Sequence, residues 1–191
     1  MKKRKVKIRK KRKMSKLFFT ADQHFGHKNI IKYCNRPFSS VEEMNKVMID
    51  RWNEVVGKDD EVYVAGDFIW DKRLCSEIPQ LLNGEIHLIP GNHDYKMYLE
   101  LDVDNIFPSS QITQVDWNRQ RIILCHYPMV SWIASCYGSW HLHGHTHCKI
   151  DYPSVTKDRL AFDVGVDGNN FYPYSILDIV LLFNKAIFRK E

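Results

Sequence analysis

The 191-residue chain has no apolar run long enough to span a bilayer, and its N-terminus lacks the apolar stretch of a signal peptide. These absences set aside membrane insertion and predict a cytoplasmic protein. Cysteine is sparse and oddly numbered: Cys34, Cys75, Cys125, Cys136 and Cys148 make five, with no Cys-x-x-Cys pair. That excludes a disulfide framework and a four-cysteine zinc module, and reduced thiols are expected. No repeat, linker or low-complexity segment follows residue 16. Core-forming residues are not lacking. At 44% hydrophobic and 13% aromatic, the chain is not a disordered one, and its length suits one domain.

Basic residues are scarce outside the N-terminus, although the formal net charge is +5. Residues 2–16 hold eleven Lys or Arg. Removing these from the total of 28 leaves 17 against 23 acidic side chains, a balance of −6. A mildly acidic domain, residues 17–191, is therefore expected behind a basic leader, residues 1–16. Blocks of like charge repel themselves and are usually disordered. Such a leader can tether nucleic acid or another polyanion. It can equally be an arm without a dedicated role, and Met14 offers a second translational start.

The remaining sequence alternates short apolar runs with polar turns. Leu17–Ala21, Glu61–Ala65, Glu85–Ile89, Arg121–Cys125, His141–Gly144 and Leu160–Val166 read as strands. Ser40-Val41-Glu42-Glu43 is a capping-box signature that opens a helix to about Val56. Met44, Val47, Met48, Trp52 and Val55 form its apolar stripe, and Gly57 suits its end. A second helix is expected within 72–82, kinked or delayed by Pro79, and Ser175-Ile176-Leu177-Asp178 caps a last one through about Phe183.

Five motifs fall at the C-terminal ends of these strands: Asp22-Gln23-His24, Gly66-Asp67, Gly91-Asn92-His93-Asp94, His126, and Gly144-His145-Thr146-His147. In layered α/β folds that edge gathers ligands. Asp22 and His24 lie two residues apart, as do His145 and His147, so each pair can face one ion from an extended segment. Asp67 can bridge two ions, and Asn92 offers a neutral carbonyl oxygen. Carboxylate, amide and imidazole donors together suit Mn, Fe, Zn, Co or Ni. Each motif alone is weak; their joint order at strand ends points to a two-metal centre, which serves in-line displacement, most often at phosphorus.

With these motifs, the chain resembles the calcineurin-like metallophosphoesterase superfamily over about Leu17 to Phe183, and most of all its small stand-alone phage and bacterial members. Asp22-Gln23-His24-Phe25-Gly26-His27-Lys28-Asn29 and Asn35-Arg36-Pro37-Phe38 add to the likeness. The resemblance implies an α/β (α+β) fold, a four-layer αββα sandwich of two mixed β-sheets flanked by helices. It implies two divalent ions, with manganese the first choice for activity. One would take Asp22, His24, Asp67 and His147; the other would take Asp67, Asn92, His126 and His145. A hydroxide shared by the ions would attack a phosphomonoester or phosphodiester, with a nucleotide among the candidate substrates. His93 would stabilise charge or protonate the leaving oxygen. In the phosphatase branch an aspartate orients this histidine; here Trp70 stands at that position, leaving Asp94 or Asp71 for the role.

Beyond the metal ligands, His27, Asn29 and Arg36 are candidate substrate contacts, Arg36 because a guanidinium pairs with phosphate. His143 shares parity with His145 and so can face the site edge. Trp132, Tyr137 and Trp140 can stack a base but are expected to pack the core. Two other classes compete with the hydrolase: a nucleic-acid-binding or scaffolding module with a vestigial site, and a nuclease that captures its substrate through the leader.

Overall fold

The computed structural model of the chain describes residues 15–94, 104–148 and 159–187. Two mixed sheets carry it, with helices against them. The basic leader, up to residue 14, lies outside the described residues.

The first sheet contains β1 (Leu17–Thr20), β2 (Glu61–Val64), β3 (Glu85–Leu88), β4 (Ile106–Pro108) and, at its far edge, β9 (Tyr174–Ser175). Its order is β4-β3-β2-β1-β9, parallel except for β9 against β1. The second sheet runs β5 (Ile112–Trp117), β6 (Gln120–Cys125), β7 (Trp140–His143) and β8 (Ala161–Asp163). There β5 and β6 are antiparallel and the other pairs parallel. Asn118 and Arg119 turn the β5–β6 hairpin with positive φ at both positions, the geometry that matches strand twist.

Strand alternation divides the core between two faces of the first sheet. Phe18, Val62, Val64, Ile86 and Leu88 meet Met44, Met48 and Trp52 of α2 (Val41–Val55), which follows the short α1 (Ile30–Tyr33). Phe19, Ala21, Ala65 and Ile89 meet Ile122, Leu124, Trp140 and Leu142 of the second sheet. The last long helix closes that second core through Ile179 and Phe183, whose ring stacks on Trp140 at 4.5 Å.

Local chemistry explains the boundaries. Ser40 Oγ accepts the Glu43 amide at 3.1 Å, capping α2 as expected. The reciprocal half of the box closes one residue earlier, because Glu43 accepts from the Ser39 amide at 2.8 Å. Trp52, 2% exposed, donates Nε1–H to Asn83 O at 2.9 Å; truncation to alanine would cost about 3–5 kcal/mol. The helix expected within 72–82 is instead two pieces, a 3-10 turn at Lys72–Leu74 and a one-turn helix α3 at Ile78–Leu81. Pro79 stands in the first turn of the second piece, where its missing N–H costs nothing. The final helix, α4 (Ile176–Ile187), starts where Asp178 accepts from the amide and hydroxyl of Ser175.

Candidate metal centre

The loops leaving β1, β2, β6 and β7 converge at one end of the sandwich. Backbone hydrogen bonds lock them together. The Asp22 amide donates to Gly66 O at 3.0 Å, the His24 amide to Asp67 O at 2.9 Å, and the Gly144 amide to His126 O at 3.0 Å. Five of the expected ligand residues adopt left-handed backbone: Asp22 (φ 60), His24 (φ 53), Asp67 (φ 54), His145 (φ 70) and His147 (φ 50). The extended Asp-x-His geometry expected from sequence is thus replaced by tight left-handed turns. Such torsions persist only where surrounding structure enforces them, and they cluster at functional sites.

All seven expected ligands come together. Asp22, His24 and His147 each place a ligand atom within 4.8 Å of the others, and Asp22, Asp67 and His126 form a second such group. Asp67 Oδ2 lies 3.5 Å from His24 Nε2 and 3.5 Å from His126 Nε2, between the two halves of the site. Asn92 Oδ1, His126 Nε2 and His145 Nδ1 form a triangle with edges of 2.9, 3.1 and 3.2 Å. Two donors on one ion, at ordinary bond lengths, lie roughly 3–3.5 Å apart.

The donor chemistry fits a cation. His126 Nδ1 lies 2.8 Å from Ala65 O, which places its proton there and a lone pair on Nε2. That lone pair faces two oxygens that also offer lone pairs, on Asn92 and Asp67. Among the described residues both ring nitrogens of His24 are buried without a hydrogen-bond partner, a costly state unless something binds there. Burial holds the His24 imidazole neutral, with a pKa lowered to about 2, and His147 and Arg36 add to the effect. Burial also pushes the Asp22 carboxyl well above the usual carboxylate range; His147 opposes this, while Asp163 and Asp67 reinforce it. A positive ion would reverse that repulsion.

His147 is oriented by a partner that sequence reasoning missed. Its Nδ1 lies 2.8 Å from Asp167 Oδ2. Burial works against the His147 charge, but the Asp167 hydrogen bond prevails and raises the pKa to about 10. Asp163, also missed, accepts from the Thr146 hydroxyl and the Cys148 and Gly165 amides, fixing the His145–His147 turn. The signal for both was faint: single aspartates in a stretch without a recognisable motif.

Arg36 is 4% exposed and spends its guanidinium inside the protein. It pairs with both oxygens of Asp167 and donates to Gln23 O at 2.9 Å and Asp22 O at 2.7 Å. The expectation that it holds substrate gives way to a different one: it ties the Asp22 turn to the partner of His147.

His93 is aimed differently from Asp94. The His93 amide donates to Asp67 Oδ1 at 2.9 Å, while its half-exposed ring sits with Nε2 4.0 Å from Asp67 Oδ2. Asp94 accepts from the amides of Asp67, Phe68 and Gly91, so its carboxylate braces two ligand loops. Asp71 is engaged by Arg73. Among the described residues neither aspartate hydrogen-bonds the His93 ring; Trp70 packs beside it, ring centroids 4.9 Å apart.

A cavity of about 430 Å³ opens over these groups, lined by His24, Asp67, Asn92, His93, His145 and His147 together with His27, Asn29, Ile30, Tyr33, Cys34 and Trp70. His143 is buried beside His141 and does not line it. Trp140 belongs to the core as expected, but Tyr137 is 89% exposed, on a 3-10 turn that faces solvent.

Comparison with known proteins bears on the family and the fold. The family model described as calcineurin-like phosphoesterase matches residues 15–181. An uncharacterized protein of Methanocaldococcus jannaschii is 39% identical over 178 residues, covering 91% of this chain and 94% of that one. The gene 66 protein of Mycobacterium phage D29 is 28% identical over 181 residues, covering 81% and 89%. A crystal structure of a protein of unknown function from Aquifex aeolicus superposes with a TM-score of 0.71 at 24% identity, covering 88% of this chain and all of that one.

Proposed function

The chain belongs to the calcineurin-like phosphoesterase family and is a phosphoric ester hydrolase, and from that footing we propose that it cleaves phosphodiesters or phosphomonoesters at a dinuclear metal centre. Asp22, His24, Asp67 and His147 hold one divalent ion; Asp67, Asn92, His126 and His145 hold the other. The observation that carries this reading is the Asn92–His126–His145 triangle beside Asp67, where potential ligand atoms converge at 2.9–3.5 Å. Manganese is the ion we assign for activity, with Fe, Zn, Ni and Co fitting the same donors. When bound, such ions supply Lewis acidity toward phosphoryl oxygens and bring the pKa of water toward neutrality.

The chain's own residues do the rest. His93, tethered through its amide to Asp67, presents its imidazole to the cavity, where it donates a proton or hydrogen bond to the leaving oxygen. Asp94 keeps the His93 loop against the Asp67 turn. His27 and Asn29 line the mouth and contact the ester beyond phosphorus. The five cysteines are free thiols, which favours a reducing, cytoplasmic setting. The basic leader serves as a polyanion tether rather than as part of the catalytic site.

Replacing Asn92 or His126 by alanine should abolish manganese-stimulated hydrolysis of bis(p-nitrophenyl) phosphate. Full turnover in either variant would sink the dinuclear assignment.

A further inference from the structure

The cavity over the site is lined by two chemically different sets of residues, and only the candidate ligands are accounted for by hydrolysis. Much of the remaining lining is aromatic, from His27, Tyr33 and Trp70. The His27 ring stacks on Trp70 with centroids 3.9 Å apart and an 8° interplanar angle. Tyr33 meets His27 edge-on at 6.1 Å. Trp70 lies 4.9 Å from His93, beside the group assigned to the leaving oxygen. Tyr33 is 63% exposed.

Charge narrows what this lining can receive. Among the described residues no lysine or arginine lines the cavity, and the nearby Arg36 points inward with its donors taken up. The described lining offers a second phosphate no lysine or arginine, which favours a substrate with a single phosphoryl group at the site. A neutral planar group would find aromatic rings on which to stack. The volume, about 430 Å³, lies in the range of small-molecule sites.

We propose that the His27–Trp70–Tyr33 cluster is a stacking subsite for a nucleobase, making the substrate class a nucleoside phosphate ester. This rests on the hydrolase reading above and specifies the group carried by the ester. Trp70 and Tyr33 set the preference, and the phosphoryl group remains with the metal ligands.

The test uses the full-length, manganese-loaded protein and two probes that differ only by the base, adenosine monophosphate and ribose phosphate, with binding followed by calorimetry. Base stacking on protein aromatics predicts that the nucleotide binds about tenfold more tightly. In Trp70→Leu and Tyr33→Ala the preference shrinks, most in Trp70→Leu, while ribose phosphate affinity stays within about twofold of wild type, because the phosphoryl group is held elsewhere. Equal affinity for the two probes in the wild-type protein overturns the subsite, as does a preference that survives undiminished in both variants. Hydrolysis of bis(p-nitrophenyl) phosphate on the same preparation separates the two ideas. Turnover without a base preference defeats the subsite alone; no manganese-dependent turnover defeats the hydrolase reading beneath it.

Discussion

Arg36 and Asp167, 131 residues apart in sequence, form a two-point ion pair: Nε to Oδ1 at 2.8 Å and Nη2 to Oδ2 at 2.9 Å. The Arg36 side chain is fully buried and that of Asp167 is 10% exposed. The pair joins the loop after β1 to the loop after β8, and so joins one ligand turn to the residue that orients His147. Replacing Arg36 by methionine should destabilise the protein by about 3 kcal/mol, because the buried Asp167 loses its two-point partner and keeps only His147. The Arg36→Met, Asp167→Asn double variant should recover part of that loss. Urea unfolding of the three proteins checks both statements.

Metal binding should release protons and strengthen as pH rises. With no ion bound, His147 holds its proton at neutral pH because Asp167, against burial, raises its pKa to about 10. An ion must displace that proton, so below this pKa affinity gains up to about tenfold per pH unit from this group. His24, lowered to about 2 chiefly by burial, contributes nothing to the slope. Asp167→Asn should flatten the pH dependence and weaken binding about 10–100-fold. Calorimetry in buffers of different ionisation enthalpy measures the proton count directly.

His93→Ala should lower kcat roughly 100-fold or more while leaving manganese affinity nearly unchanged. The split follows from the geometry: the bond from residue 93 to Asp67 Oδ1 is made by the backbone amide and survives the substitution. A metal titration alongside steady-state kinetics reads both quantities.

Gly144→Ala should damage the site without removing a ligand. A β-carbon there would lie 2.5 Å from Ala21 Cβ and 2.7 Å from Asp22 Oδ2. Overpacking of this kind costs about 1–3 kcal/mol, and displacement of the Asp22 carboxylate should weaken metal binding further. Thermal unfolding with and without manganese should show a smaller metal-induced shift than in wild type.

Deleting residues 1–13 should reduce binding to single-stranded nucleic acid and flatten its salt dependence, the log–log slope falling by about 0.7 for each phosphate that is no longer neutralised. Turnover of a small diester should stay unchanged, since the described lining of the cavity comes from His24 onward. Filter binding at several salt concentrations gives the slope.

The candidate ligand cluster is legible in the sequence because metal chemistry restricts residue types tightly, and the Asp, His and Asn singled out at successive strand ends do come together. The strands delivering them are legible for a related reason, as each carries buried apolar residues, in a run in β1 and alternating in β2 and β3. What escapes is whatever one aspartate or one hairpin turn can do unannounced. Asp167 has no flanking pattern, and its role depends on Arg36 arriving from the other end of the chain. The β5–β6 hairpin hides because β5 alternates only half-buried and exposed residues, and Asn118-Arg119 is a less familiar turn pair than Asn-Gly. Arg36 misleads because a guanidinium suits phosphate and carboxylate equally; only burial separates the two uses. Strand β9 has two residues, below what any periodicity can register.

The left-handed turns at Asp22, His24, Asp67, His145 and His147 bear on how such a site can decay. Aspartate, asparagine and histidine are the side chains that tolerate this backbone best after glycine, and they are also the ones that bind metal. Backbone and chemistry therefore select the same short alphabet. A descendant that lost its ions would still be held to that alphabet by folding alone, with asparagine the easiest successor to aspartate. Inherited Asp, Asn and His at these positions would outlive the activity, so His126, which stands outside the left-handed turns, is the better witness that a relative still works.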